Sequence, residues 1–101
     1  MIFVKIHSTP AGKILAMCDE ELIGKVFKEG EAVIDLEKYK GFYVGEKIKE
    51  EDASKILKEE LTSINAVGER SVKLLINNSL ASKENIKKIN GIPLLQIFFF
   101  K

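Results

Sequence analysis

Apolar and polar residues alternate along the first part of the chain with the period of two that is typical of β-strands. Aliphatic residues at 2, 4 and 6 are separated by residues of mixed character, which predicts a strand over residues 2–7. The segment Ser8-Thr-Pro-Ala-Gly12 has the composition of a turn. The chain is therefore expected to return as a second strand over residues 13–18 and to form a hairpin.

The next section reads as short strands separated by turns. Asp19 is placed to cap a short helical turn at residues 20–23, which Gly24 ends. Strands are then predicted at residues 32–36 and 42–44, each preceded by a glycine-containing turn.

From about residue 50 the apolar period changes from two to that of a helix. We predict two helices, Glu50–Leu61 and Ala66–Asn77, joined by a turn at Ser63–Asn65. Three acidic residues at 50–52 would favour the positive end of the first helix. The apolar positions of the two stripes are Ala53, Ile56, Leu57, Leu61 and Ile64, then Val67, Val72, Leu75 and Ile76.

A second hairpin is predicted at the carboxyl end. Asn90-Gly91 is one of the strongest two-residue hairpin signals, and it separates the predicted strands 86–89 and 92–100. Residues 82–85 are expected to form a loop or a single helical turn. The predicted order is ββββ-αα-ββ in one globular domain, residues 1–101. This order indicates an α+β, two-layer fold with a largely antiparallel sheet and a pair of helices.

Composition narrows the function classes. Sixteen basic and fifteen acidic residues leave a net charge of +1, which argues against a strongly non-specific nucleic-acid binder but allows a local basic patch. The single cysteine, Cys18, cannot form an intramolecular disulfide, and this favours a cytoplasmic location. The apolar run at 92–100 is too short to span a bilayer, so no membrane association is expected.

The segment between the two predicted helices resembles a helix-hairpin-helix turn, in which backbone N–H groups bind a nucleic-acid phosphate. Ile64, Val67 and Gly68 match the two apolar positions and the second glycine, whereas Ala66 replaces the first glycine. A glycine at a helix start leaves N–H groups open to an anion. Close packing between two core helices is the alternative explanation for Gly68.

A nucleic-acid site is predicted around this turn. Asn65 would cap the second helix, Gly68 would let a phosphate approach the backbone, and Arg70 would close over it. Lys73 lies one turn further along and could extend the patch. The basic segment before the final hairpin adds further candidates, although lysines also protect exposed strand edges; these are Lys83, Lys87 and Lys88.

No catalytic, metal or cofactor site is predicted. His7 and Cys18 would lie roughly 16 Å apart at opposite ends of the first hairpin, so they are not expected to form a dyad. No second histidine exists to complete a zinc site. The acidic clusters at 19–21 and 50–52 both fall at helix starts, where solvated carboxylates are common. The segment 41–45 lacks the lysine and helix of a nucleotide-binding loop.

The last predicted strand is apolar on both faces. An exposed strand of this kind would be prone to aggregation, so both faces are expected to be covered. Leu95, Ile97 and Phe99 should be buried within the chain. Phe98 and Phe100 face the other way, and at least one of them should be covered by the core or by a partner. Contact through these two residues would make the protein an adaptor or a homo-oligomer.

Three blocks of residues make nearly the whole chain similar to the archaeal domain-of-unknown-function family 424. They are Cys18-Asp-Glu-Glu-Leu22 with Gly24-Lys25, Phe27 and Glu29-Gly30; Asn65 with Val67-Gly68-Glu69-Arg70; and Ile89 with Gly91-Ile92-Pro93 and Gln96. The chain departs from the family at Leu94, where a histidine is common. The resemblance implies a small cytoplasmic archaeal α+β protein without an established activity. It also suggests, at the family level, a link to translation or ribosomes.

Three functions follow from these features. The leading hypothesis is a non-enzymatic module that binds structured RNA or a ribosomal particle through the segment 65–70 and nearby lysines. The second is a protein–protein adaptor or homodimer built on the Phe-rich terminus. The third is a small enzyme, which the absence of a His, Cys or carboxylate constellation disfavours.

Overall fold

The computed structural model of the protein describes residues 1–99, and within them the chain forms eight strands and three α-helices. The strands are β1 (Ile2–Thr9), β2 (Gly12–Asp19), β3 (Val26–Glu29), β4 (Ala32–Asp35), β5 (Glu46–Ile48), β6 (Ser63–Val67), β7 (Lys87–Ile89) and β8 (Ile92–Phe98). The helices are α1 (Lys40–Tyr43), α2 (Glu50–Ile56) and α3 (Glu69–Asn77), and single 3-10 turns occupy Glu20–Leu22 and Lys83–Asn85.

In the described residues, six strands form one sheet in the order β5-β1-β2-β6-β8-β7, and β3 and β4 form a separate hairpin. All neighbouring strands of the sheet are antiparallel except β2 and β6, which run parallel at its centre. The predicted α+β class and the largely antiparallel sheet are confirmed.

The sheet has one face under helices and one under the hairpin. On the first face, aliphatic residues of β1, β2, β6 and β8 pack with α2 and α3 into the main core. On the second face, Cys18 and Val67 pack under Leu22, Ile34 and Leu36 in a smaller core beside the β3–β4 hairpin. The hairpin and α1 therefore add a partial third layer to the two layers that the sequence predicts.

The prediction of two helices joined directly by a turn is wrong, because a strand lies between them. Residues 63–67 are β6, not the turn Ser63–Asn65 and the first residues of a helix, and α3 starts at Glu69 rather than at Ala66. β6 pairs with β2 on one side and β8 on the other, so its ladder hydrogen bonds are made to residues distant in the chain. Five residues are too few for periodicity to separate a buried strand from a helix.

Two shorter elements also differ from the prediction. The first predicted helix ends at Ile56 rather than Leu61, because the N–H groups of Lys58 and Glu59 bond three residues back and tighten the last turn. Residues 40–43 form the helical turn α1 where the sequence predicts a strand at 42–44, and the edge strand β5 follows it.

Both predicted hairpins are confirmed. Residues 2–9 pair with residues 12–19 in continuous antiparallel register. At the second hairpin, Asn90 and Gly91 both have positive φ, 51° and 79°, as a tight two-residue turn requires.

The last strand has the two faces that its alternation predicts. Leu95 is buried, and Ile97 and Phe99 pack partly buried against the main core. Phe98 faces the other way and is 58% exposed, and Phe100 lies outside the described residues.

Among residues 1–99, no helix combines the length and the apolar character needed to cross a membrane.

Candidate functional site

Asp19 joins the end of β2 to the start of α3. Because β2 and β6 are parallel, both strands end at the same edge of the sheet, where α3 follows β6 after Gly68. One oxygen of the Asp19 carboxylate accepts the N–H of Arg70 at 3.0 Å, and the other accepts the N–H and the hydroxyl of Ser71 at 2.9 and 2.8 Å. Asp19 is 3% exposed, so these three bonds replace its hydration.

Gly68 allows this carboxylate to reach the helix. Its φ is +106°, and a Cβ atom at this position would overlap the carboxylate of Asp19. Its N–H donates to the carbonyl oxygen of Pro93 at 2.9 Å, which ties the helix start to β8 as well. Both the backbone angle and the available space therefore require glycine.

Arg70 is held by two carboxylates outside the sheet. Its guanidinium forms ion pairs with Glu21 and with Glu50, the second at 3.4 Å. The contact with Glu21 raises the pKa of Arg70, while a backbone hydrogen bond and then Arg70 itself lower the pKa of Glu21. These side chains are about half exposed, so the ion pairs are screened by solvent.

The geometry at this turn differs from the geometry that the sequence predicts. Asn65 lies in the middle of β6 and does not cap a helix, because Gly68 is the residue that precedes α3. Two of the N–H groups expected to face an anion already donate to Asp19. Asp19, in turn, caps α3 rather than the 3-10 turn after it, where no side-chain cap is formed.

The lysines of the predicted patch separate into two groups. Lys73 on α3, Lys83 and Lys88 line a groove of about 690 Å³ between α3 and β7. Its apolar surface comes from Val72, Ile76, Ile86 and Pro93, and Glu69 is the acidic residue among the lining side chains. None of the three lysines forms an ion pair within the described part of the chain.

Lys87 lies on the opposite side of β7 from Lys88. In the β7–β8 register, Lys88 is opposite Pro93 and so shares the groove side, whereas Lys87 is opposite Leu94 and shares the hairpin side. Adjacent lysines therefore point to two faces of the sheet across a strand of three residues.

A second recess lies on the hairpin side, between the sheet and the β3–β4 hairpin with α1. This cleft has a volume of about 680 Å³. Three aromatic side chains, Tyr39, Phe42 and Tyr43, line it together with the amides of Asn65 and Gln96. Leu94, Val67 and Ile89 are among the apolar residues beneath them.

His7 and Cys18 make packing and hydrogen-bond contacts within the fold. Nε2 of His7 lies 2.8 Å from the carbonyl oxygen of Phe42, and the two rings stack with centroids 4.5 Å apart. Cys18 is fully buried, and burial, with smaller effects of Asp19 and Glu21, raises its pKa to about 12. The described residues contain no group of three His, Cys, Asp or Glu side chains that could hold a metal ion.

Sequence reasoning misses two features of this region. The sequence suggests that Asp19 is a solvated helix-start residue, and only the parallel pairing of β2 with β6 places it under α3. The cleft combines residues of α1, β6 and β8 that are far apart in the chain. The lysines before the final hairpin indicate a basic patch in the sequence, but only the fold shows that α3 forms one wall of the groove.

The fold and these sites define a small α+β domain with a buried carboxylate that joins strand to helix, a lysine-lined groove on one side and an aromatic cleft on the other. The chain belongs to the family described as "Protein of unknown function (DUF424)", whose model matches residues 6–100. The sequence resemblance to this family is confirmed.

A solved structure shares the fold. It is the crystal structure of an uncharacterized conserved protein from Methanopyrus kandleri, 28% identical in sequence with a TM-score of 0.82. The match covers 96% of this chain and 90% of that one. No curated protein matches the sequence.

Proposed function

We propose that the protein is a non-enzymatic module that binds RNA or a ribonucleoprotein in the cytoplasm, and that the lysine-lined groove contacts the phosphates. The observation that carries this proposal is the convergence of Lys73, Lys83 and Lys88 on one groove without carboxylate partners of their own among the described residues. Ammonium groups without internal ion pairs are free to replace the counterions of a phosphate backbone.

The groove explains how a nearly neutral protein could bind RNA. The net charge of +1 gives little overall attraction, so a local cluster of cations has to supply it. Arg70 is less suited to this role than the sequence suggests, because a phosphate would have to displace Glu21 and Glu50. The apolar stems and neighbours of the groove can contact sugars and keep the lysine heads toward solvent.

The experiment is a salt titration of RNA binding with matched charge variants. Fluorescence anisotropy would follow a labelled stem-loop RNA with a single-stranded tail, added to the wild type and to the triple variant Lys73→Gln, Lys83→Gln and Lys88→Gln. The salt slope should fall by about 0.7–0.9 for each phosphate that the variant no longer neutralises. The triple variant Lys25→Gln, Lys28→Gln and Lys55→Gln removes the same charge elsewhere and should retain the wild-type slope.

Arg70→Ala provides a further comparison. If phosphate binding depends on the groove alone, this variant should bind RNA like the wild type. Equal losses of affinity in the two triple lysine variants would show that RNA binding depends on net charge and not on the groove. Absence of RNA binding by the wild type at low salt would contradict the proposed function.

A second candidate function is a protein contact or homodimer through β8. Two observations favour it: Phe98 is 58% exposed, and β7 pairs only with residues 92–94, so in the described chain the outer edge of β8 beyond Leu94 has no neighbouring strand. Sedimentation of the wild type and Phe98→Ser over a range of concentrations tests it. Association that the substitution abolishes would support this function, and a monomer at all concentrations would exclude the homodimer.

A further inference from the structure

We infer that the aromatic cleft on the hairpin side accepts an unstacked base of single-stranded RNA. This inference rests on the proposed function and adds a ligand class and a second site to it. The cleft is formed by α1, the β3–β4 hairpin and the β6–β8 face of the sheet, away from the groove.

Two amides stand side by side on the sheet at this cleft. Asn65 and Gln96 are direct cross-strand partners in the β6–β8 register, so their side chains project from the same face about 4.5–5.5 Å apart at Cβ. Among the described residues, neither side-chain amide forms a hydrogen bond with another protein group. Each side-chain amide carries two N–H donors and a carbonyl oxygen acceptor, and this combination can pair with the edge of a nucleobase.

The aromatic residues supply a surface for a planar ring. Tyr39 is half exposed at the cleft, and Phe42 is held in place by stacking on His7 and by an edge contact with Tyr43 at 5.1 Å. Bases stack on such side chains in many proteins that bind single strands. A cleft of about 680 Å³ is also within the range of small-ligand sites and is large enough for a nucleotide.

The polar groups at the rim suit a neutral heteroaromatic ring better than an aliphatic ligand. The Tyr43 hydroxyl is protonated at neutral pH and can donate a hydrogen bond, and burial raises its pKa further, to about 12. No protein acceptor for this hydroxyl is found within residues 1–99. An aliphatic chain would leave the Tyr43 hydroxyl and both amides without partners, at a cost in binding.

The position of β7 connects the two sites. Lys87 lies on the cleft side and Lys88 on the groove side of this three-residue edge strand. An RNA strand that passes around β7 would therefore meet a cation on each face. Base contact in the cleft and phosphate contact in the groove would then belong to one ligand.

Intrinsic fluorescence reports directly on the cleft. The chain has two tyrosines and no tryptophan, and both tyrosines line the cleft. Uncharged ribonucleosides are the first probe, because they cannot use the lysine groove. We expect saturable quenching of the tyrosine signal by at least one of the four, together with NMR shifts of the Asn65 and Gln96 side-chain amides.

Variants of exposed residues separate the cleft from the groove. Gln96→Ala and Tyr39→Ala should each weaken nucleoside and single-stranded RNA binding by roughly 5- to 100-fold. Val26→Ala, an exposed apolar residue of β3 outside the cleft, is the matched control and should bind as the wild type does. A blunt RNA duplex, which has no free base, should bind less tightly than a single strand of the same length.

The two proposals fail in different ways. If RNA binds through the lysine groove while Gln96→Ala and Tyr39→Ala keep wild-type affinity, the cleft inference is wrong and the proposed function stands. If nucleosides bind in the cleft but no RNA does, the RNA function is wrong and so is the assignment of the cleft to an RNA base. Absence of both nucleoside quenching and amide shifts also overturns the cleft site.

Discussion

One oxygen of Asp19 accepts both the backbone N–H and the hydroxyl of Ser71, a residue 52 positions later in the chain. The two bonds fix the first turn of α3 over the end of β2 without any contribution from a local capping side chain. The start of the helix is thus defined by the tertiary fold.

The first prediction concerns this carboxylate. Asp19→Ala should lower the free energy of unfolding by about 2–4 kcal/mol, because it removes charged hydrogen bonds and leaves the N–H groups of Arg70 and Ser71 without an acceptor. Chemical denaturation measures the change. Asp52→Ala, an exposed acidic residue in the first turn of α2, is the control and should cost less than about 0.5 kcal/mol. Equal effects of the two substitutions would mean that Asp19 has no special role.

A second prediction separates steric overlap from backbone strain at glycine. Gly68→Ala forces both, since φ is +106° and the new Cβ would meet Asp19. Gly24→Ala forces strain alone, because φ is +87° but nothing lies within 4 Å of its Cβ position. We expect a destabilisation of about 1–2 kcal/mol for Gly24→Ala and a clearly larger one for Gly68→Ala. Similar melting temperatures for the two variants would show that Asp19 can move aside.

The third prediction compares two residues of β8. Leu95 is 2% exposed and belongs to the main core, so Leu95→Ala should cost about 2–5 kcal/mol. Phe98 is 58% exposed, so Phe98→Ala should change the stability of the monomer by less than about 1 kcal/mol. Denaturant unfolding at low protein concentration measures both. A large destabilisation by Phe98→Ala that grows with protein concentration would instead indicate that Phe98 lies in an interface between copies.

The fourth prediction follows from the buried thiol. The pKa of Cys18 is raised from 9.0 to about 12, so above pH 9 the unfolded chain releases a proton that the folded protein keeps. The free energy of unfolding therefore falls as pH rises between about 9 and 12, by up to about 1.4 kcal/mol per pH unit. Below pH 9 the thiol is protonated in both states, so its titration does not change the stability.

The test compares the wild type with Cys18→Ala. Between neutral pH and about pH 10.5, the stability of the wild type should fall by about 2 kcal/mol more than that of the variant. Tyr43 acts in the same direction and is present in both proteins, so it cancels to first order. Parallel pH profiles would show that the thiol does not remain protonated in the folded protein.

Features that depend on neighbouring residues can be predicted from the sequence. The hairpin at Asn90-Gly91 forms because its two residues accept positive φ, a property of the residues themselves. The burial of Leu95 on one face of β8 also follows from strict alternation. The lysines of the groove can be named individually, and the predicted start of α3 lies three residues from its true beginning.

The remaining features depend on residues that are distant in the chain. β6 obtains its hydrogen bonds from β2 and β8, and no local pattern distinguishes Ile64 and Ala66 on a strand from the same residues on a helix. Asp19 resembles a solvated carboxylate in the sequence because its three donors lie beyond Gly68. For the same reason, the sequence predicts free N–H groups at the start of α3, whereas in the structure the N–H groups of Arg70 and Ser71 donate to the carboxylate of Asp19.

The parallel pairing of β2 with β6 also determines the order in which the protein can mature during synthesis. The amino-terminal hairpin can form early, but the central neighbour of β2 and the donors for Asp19 are supplied only by residues 63–71. Until a ribosome has released that segment, the hairpin exposes an apolar face and a carboxylate without its partners. The centre of the sheet is therefore completed only after residues 63–71 are available, and until then the exposed hairpin is open to aggregation and proteolysis.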